Sequence, residues 1–310
     1  MTTAQEALGL PNTAGVPDSV GVPASVGVPA LVGVLGGGRM GAGIAHAFLL
    51  AGARVTVVEQ GDDAARAARD RVMSAVDKSL SRGTVSATRA DLDNRLTVST
   101  DAAAFAGSGL VVEAVPEIPA LKTQALRTVE AHLAPTAWLA SNTSSLSITE
   151  LAEALDRPER FIGLHFFNPV PVSTLIEVVT GEGTSPELAD LARGWVSALG
   201  KTPIMVRDAP GFASSRLGVA IALEAIRMVE EGVASPEDID AAMVLGYKHP
   251  VGPLKTTDIV GLDVRLGIAE HLQKTLGDRF APPQLLRDMV AQGNLGRKSG
   301  RGFFDWKDAS

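Results

Sequence analysis

The run Gly36-Gly37-Gly38-Arg39-Met40-Gly41 constrains this chain most. It lies between an apolar strand-like stretch, LVGVLG, and a helical stretch, Met40 to Ala51. In that setting the G-x-G-x-x-G spacing predicts the turn of a dinucleotide-binding βαβ unit. Gly36 permits the tight turn and Gly38 removes a side chain that would block a pyrophosphate. Gly41 lets helix and strand pack closely, and free amides at the helix start receive phosphate. Arg39 and Met40 lie inside the turn and belong to the same candidate cofactor surface. The next strand, RVTVVE, ends in Glu59, roughly twenty residues beyond the first glycine. A carboxylate there accepts hydrogen bonds from an adenosine ribose and repels a 2′-phosphate, so NAD is favoured over NADP. Such a turn alone leaves the substrate open, since many chemistries share the fold.

Apolar runs then alternate with helical stretches. Strands are expected at Leu110 to Val115, Trp138 to Ser141, Phe161 to Phe166 and Leu175 to Val179. Helices are expected from about Ala64 to Ser81, near Ile118 to Leu133 and near Ile148 to Leu155. This alternation predicts an α/β class with a Rossmann-type, mostly parallel sheet over residues 30–206. After Asp208-Ala209-Pro210-Gly211 the strand signal stops, and residues 207–310 read as a smaller all-helical domain. Its first helix runs from Phe212 to Glu231 with Leu217, Ile221, Ala225 and Met228 on one stripe. Ser235 caps a second helix toward Leu245, with Pro236 at its first position. Two more helices follow around Leu262 to Thr275 and Pro283 to Gln292. Residues 1–29 read as a disordered tail, because GVPDSV, GVPASV and GVPALV repeat a proline that opposes helix and strand pairing.

Charge and composition exclude several classes. The net charge of −7 comes from 35 acids and 28 bases spread along the chain, without the basic runs of a nucleic-acid binder. Cysteine is absent, which removes disulfides, thiolate metal sites and a cysteine nucleophile, and which fits a reducing cytoplasm. No apolar run reaches the roughly 18 residues that span a bilayer, and the start lacks a basic secretory segment. The expectation is a cytoplasmic protein with no membrane partner and no bound metal.

Of the five histidines, only His165 lies within a strongly apolar strand, FIGLHFFNPV, near the strand end where open α/β sheets bind ligands. An imidazole with pKa near neutrality can take a proton from an alcohol as its carbon gives up hydride, and can return it in reduction. Glu177, inside the apolar strand LIEVV, is the candidate carboxylate to fix the imidazole tautomer. From pattern alone the two read equally as a satisfied core pair. Ser141 to Ser147 places several hydroxyls at a strand-to-helix loop. There Ser147 and Glu150 have capping-box spacing, and one hydroxyl could instead polarise a reacting oxygen. There is no G-x-S-x-G elbow and no histidine-rich metal spacing.

Taken together, LGGGRMGAGIA, VVEAVPE, SNTSSLSITELA, GLHFFNPVPVSTLIEVV, DAPGF, EGVASPEDIDAAM and GRKSGRGFFDW resemble the 3-hydroxyacyl-CoA dehydrogenases, in particular the single-function 3-hydroxybutyryl-CoA type, over about residues 30 to 306. The resemblance implies that His165 is the general acid and base, that Glu177 orients it and that Ser144 holds the substrate oxygen. It implies cofactor contacts from Glu117, Lys122, Asn168 and Lys298, and places Arg82 near the phosphates of coenzyme A. It also implies an acyl-CoA thioester as substrate and a homodimer formed through the helical domain. One position departs from the family pattern: after PGF the family usually has asparagine where this chain has Ser215, a shorter side chain that alters a contact near the reacting group. The same chemistry on an acyl-carrier-protein thioester or a specialised CoA thioester fits the residues equally, and a non-catalytic NAD-binding protein is the alternative of another class.

Overall fold

Alternating β-branched residues build the first half. In the computed structural model, which describes residues 27–306, β1 (Leu31–Leu35) leads through the glycine turn into α1 (Arg39–Leu50), followed by β2 (Arg54–Val58) and α2 (Asp62–Ser81). Then come α3 (Arg89–Asn94), β3 (Leu96–Ser99), β4 (Leu110–Glu113), α4 (Pro119–His132), β5 (Trp138–Ser141) and α5 (Ile148–Ala152). The sheet is completed by β6 (Phe161–Phe166), β7 (Leu175–Thr180), α6 (Pro186–Ala198) and β8 (Thr202–Arg207). The tail assigned above to residues 1–29 lies outside the described residues as far as Val26.

The eight strands form one sheet in the order β3-β2-β1-β4-β5-β6-β7-β8. All pairs are parallel except β6 with β7. Val32, Val34, Val57 and Val112 are buried, as parallel strands covered on both faces require. The order reverses between β1 and β4, so the chain leaves these neighbours in opposite directions and opens a crevice at their carboxyl ends. The short edge strand β3, helices α3 and α6, and strand β8 were not among the expected elements. Edge strand β8 carries Pro203 as its second residue and is only half-buried, which weakens its apolar signal.

The rest is helical: α7 (Ser214–Glu230), α8 (Pro236–Ala241), α9 (Pro253–Val260), α10 (Leu262–Leu276) and α11 (Gln284–Ala291). Together the two parts form a Rossmann-like sheet domain followed by a helical domain. Val219, Leu223, Ile226, Leu254, Leu262, Leu272 and Leu286 make a separate apolar core. On α7 the buried stripe is therefore rotated from the one expected. Leu217 and Ile221 are exposed, whereas Val219, Ala222, Leu223 and Ile226 are buried. The expected second helix ends as α8 and continues to Gly246 as a wide turn with π-helical bonding. Helix α9 was not anticipated, because eight residues between Pro253 and Gly261 are too few to show periodicity.

One buried polar pair joins the first two helices. His46 on α1 is 2% exposed and its Nε2 lies 2.9 Å from Ser79 Oγ on α2. Burial, reinforced by the Lys201 ammonium, pushes this imidazole from 6.5 down to about 4. The folded value lies below the unfolded one, so as pH falls from 6.5 toward 4 the unfolded chain binds a proton that the folded chain refuses, and stability drops. His46→Gln should reduce the fall in Tm between about pH 7 and about pH 5, read by differential scanning calorimetry. An unchanged pH slope would refute the role of His46.

Candidate active site

Strand β6 is buried along its whole length, and its one ionisable residue, His165, lies near the carboxyl end at 5% exposure. In the antiparallel register His165 stands directly opposite Glu177 on β7, which puts both side chains on one face of the sheet. The Nδ1 of His165 lies 2.7 Å from Glu177 Oε2, and no other hydrogen bond to the ring is formed among the described residues. Phe167 and Phe212 flank the imidazole with ring centroids 4.5 and 5.7 Å away.

Glu177 is saturated. Its Oε1 accepts the amides of Ala213 at 3.1 Å and Ser214 at 2.8 Å, and its Oε2 also accepts the Ser214 hydroxyl at 2.7 Å. These amides belong to the start of α7, where a helix end favours negative charge. Burial opposes the charge on Glu177, but the bonds from His165 and Ser214 outweigh it and hold the carboxyl below its ordinary 4.5. Ser214 therefore anchors the pair, a role that the sequence reading did not assign. Ser215, the next residue, is half-buried and its hydroxyl makes no hydrogen bond among the described residues.

The loop after β5 comes to the same place. Asn142 Oδ1 accepts Phe166 N at 2.9 Å and ties the loop to β6. Glu117, on the segment after β4, uses Oε1 to accept Thr143 Oγ1 at 2.6 Å, Ser144 N at 2.7 Å and Ser145 N at 3.0 Å. The backbone of Ser144 is thus held while its hydroxyl makes no bond to the described residues. The carboxyl of Glu117 is opposed by burial, yet the Lys122 ammonium and the hydrogen bond from Thr143 keep it below 4.5. Lys122 is 1% exposed and spends its three hydrogens on Glu113 Oε1 at 2.8 Å, Val115 O at 3.2 Å and Glu117 Oε2 at 3.2 Å. Glu113 is also unassigned by the sequence reading; an acid ending the apolar strand LVVE was its signal. Ser147 accepts Glu150 N at 3.1 Å as a cap, but its hydroxyl donates to Asp208 at 2.6 Å, and the reciprocal half of a capping box is not formed.

The glycine turn fits a dinucleotide. Gly36 has φ +89°, and a Cβ on it would lie 3.0 Å from Ala114 O, so the turn packs against the segment after β4. A Cβ on Gly41 would lie 1.7 Å from Gly36 O, whereas one on Gly38 would meet nothing within 4 Å. Gly38 therefore faces open space at the start of α1, where no side chain caps the first amides. Glu59 Oε1 accepts Gly37 N at 2.6 Å, which sets this carboxylate against the turn. Met40 packs on the core. Arg39 instead faces a groove of about 650 Å³ that is also lined by Arg71, Lys78, Arg82 and Asn168. Lys298 is held by Asp263 of the helical domain at 2.6 Å. The His165, Ser144, Glu117 and glycine-turn groups thus gather at the sheet's carboxyl edge. Arg82 and Asn168 meet in the neighbouring groove.

Residues 31–209 match the family model for the 3-hydroxyacyl-CoA dehydrogenase NAD binding domain, and residues 211–306 match that for the 3-hydroxyacyl-CoA dehydrogenase C-terminal domain. A probable 3-hydroxybutyryl-CoA dehydrogenase of Bacillus subtilis is 42% identical over 277 residues, covering 89% of this chain and 96% of the relative. A 3-hydroxybutyryl-CoA dehydrogenase of Mycobacterium tuberculosis is 41% identical, covering 88% and 97%. The crystal structure of (S)-3-hydroxybutyryl-CoA dehydrogenase from Ralstonia eutropha superposes with a TM-score of 0.86 at 39% identity, over 90% of this chain and 99% of that one.

The depressed carboxyl of Glu177 has a consequence in acid. Its bonds stabilise the fold above pH 4.5 and are lost as pH falls through the lower folded value. Glu177→Gln does not titrate, so its Tm should fall less steeply than the parent's between about pH 5 and about pH 3. Parallel Tm curves from scanning fluorimetry would refute this.

Proposed function

The chain belongs to the 3-hydroxyacyl-CoA dehydrogenase family of NAD-dependent oxidoreductases, and from this premise we propose that it interconverts short (3S)-3-hydroxyacyl-CoA and 3-ketoacyl-CoA thioesters with His165 as general acid and base. The observation that carries this reading is the His165–Glu177 pair, fixed beside the strand ends where the Ser144 loop and the glycine turn also lie. Bound NAD supplies the two-electron acceptor for the hydrogen on C3. With Nδ1–H donated to Glu177, the free Nε2 of His165 takes the proton of the C3 hydroxyl as the carbonyl forms. Glu177 stabilises the resulting imidazolium, and the imidazolium returns the proton in the reverse direction. The unbonded Ser144 hydroxyl donates to the substrate oxygen and polarises the carbonyl for reduction.

The cofactor surface is assigned to Gly36, Gly38, Arg39, Gly41, Glu59, Glu117, Asn168 and Lys298, while Met40, packed on the core, supports the turn from behind. Lys122, with its hydrogens already taken, acts on it through Glu117. Arg82, with Arg39, Arg71 and Lys78 in the same groove, provides a cationic site for the phosphates of coenzyme A. Ser215 stands one residue beyond the Glu177 anchor and tunes the acyl contact, through water where an asparagine would reach directly. A cytoplasmic location fits the absence of cysteine, and no helix among the described residues is long and apolar enough to cross a membrane.

NADH consumption with acetoacetyl-CoA, run beside the matching carrier-protein thioester and with NADPH, tests the reaction. Turnover with the CoA ester and NADH is expected, and none with that pair would overturn the reading. His165→Ala should lower turnover at least roughly a hundredfold. A variant as fast as the parent removes His165 from the mechanism.

A homodimer through the helical domain is supported by apolar side chains left outside the core on packed helices: Leu217 on α7 is 64% exposed and Val264 on α10 is 43% exposed. Sedimentation at about micromolar concentration should show a dimer, with Leu217→Asp monomeric. A monomeric parent would exclude this interface.

A further inference from the structure

Two carboxylates and one ammonium share the base of the crevice. Glu113 is fully buried, Lys122 is 1% exposed, and the Glu117 side chain is 36% exposed. Glu113 Oε1 accepts Lys122 Nζ at 2.8 Å and Val115 N at 2.6 Å, while Oε2 accepts Ser141 Oγ at 2.6 Å. Ser141 Oγ in turn accepts Thr143 N at 3.2 Å, so its proton is directed to Glu113. Every neighbour of Glu113 is a donor, which is the environment of an ionised carboxylate. Glu113 thus neutralises Lys122 beneath the surface, and the set retains one net negative charge.

That remaining charge has a defined place. Glu117 is the outermost member, three residues past Ala114, against whose carbonyl Gly36 packs. It therefore borders the crevice at the point where strand order reverses, where ligands of open α/β sheets sit. The nicotinamide ring is cationic in NAD⁺ and neutral in NADH, while the rest of the molecule is the same. A fixed anion at this rim acts on the difference alone.

We propose that buried Glu113 sets the preference between oxidised and reduced cofactor, by neutralising Lys122 so that Glu117 presents an uncompensated negative charge favouring the cationic ring. Glu113 touches neither cofactor nor substrate and acts through Lys122, as a positioning residue for charge. The inference rests on the NAD reading of the crevice and needs no statement about the thioester.

Direct titration of the full-length protein with NAD⁺ and with NADH, by calorimetry or fluorescence without acyl substrate, measures the ratio of the two Kd values. Glu113→Gln keeps the shape, leaves Lys122 to be neutralised by Glu117, and should weaken NAD⁺ relative to NADH by roughly three- to tenfold, as expected for one charge across a few ångströms of partly solvated protein. Glu117→Gln removes the same charge from the accessible end and should shift the ratio in the same direction, which decides the matter if the buried variant fails to fold. Glu113→Asp keeps the charge with disturbed geometry and should leave the ratio within about twofold of the parent. A ratio unchanged in a folded Glu113→Gln, a ratio unchanged in Glu117→Gln, or a ratio moved equally by the aspartate variant overturns the inference. Failure of the parent to bind either dinucleotide would instead overturn the cofactor reading itself.

Discussion

Glu177 is the interaction on which the arrangement depends, because one carboxylate joins the sheet to the helical domain. From its position on β7 it bonds across the strand pair to His165, and forward to the amides of Ala213 and Ser214 at the start of α7. Among the described residues the β6–β7 pair is the only antiparallel one in the sheet, and that reversal brings a residue near the start of one strand beside a residue near the end of another. Parallel strands would put an equivalent pair on offset, slanted bonds. The local reversal therefore sets the imidazole's orientation and the start of α7 together.

The same device recurs wherever a loop must be held. Glu117 receives the amides of Ser144 and Ser145, Asp240 those of Leu254 and Lys255, and Asp258 those of Phe303 and Phe304. Glu130 does the same for Asp156 and Arg157. In a chain without cysteine, these carboxylates restrain loops by charge-assisted hydrogen bonds. Asp240, Asp258 and Glu130 are buried, which strengthens such bonds and makes the loss of one partner expensive, while Glu117 is the exposed member of the set. Asp258 shows the consequence: it fixes Phe303, Phe304 and the Trp306 indole, so the last described residues fold back on α9.

What could be read in the sequence was what chemistry forces into rare positions. A histidine and a glutamate inside apolar strands, and three glycines between a strand and a helix, stand out because burial or sterics must be justified. Strands β1, β2, β4, β5, β6 and β7 were legible for the same reason, being largely apolar runs closed by turns. The edge strand Leu96–Ser99 was not, since its polar and largely unburied residues give no apolar run, nor was the helix Pro253–Val260, since eight residues give periodicity little room. Ser214 carries no local sign of its role, because its partner is 37 residues away in the chain. Lys122 stood out only through the family resemblance and Glu113 only as an acid ending an apolar strand, and only the fold brings them to one buried point.

The groove beside the glycine turn shows why net charge misleads about ligands. The chain is acidic overall at −7, and its bases are scattered in sequence. Arg71, Lys78 and Arg82 nevertheless fall seven and four residues apart on the helical path of and just past α2, which returns them to one face, and α1 adds Arg39. Among the described residues Asp70 is the one acid lining that groove. An anion approaching there meets a local excess of positive charge within a screening length of about 8 Å, a distance over which remote surface acids are largely silenced. The sheet's carboxyl edge carries the reverse sign through Glu117 and Glu177. Opposed local fields on either side of one crevice suit a ligand with phosphates at one end and a reacting carbon at the other, and the sum over the chain reports neither.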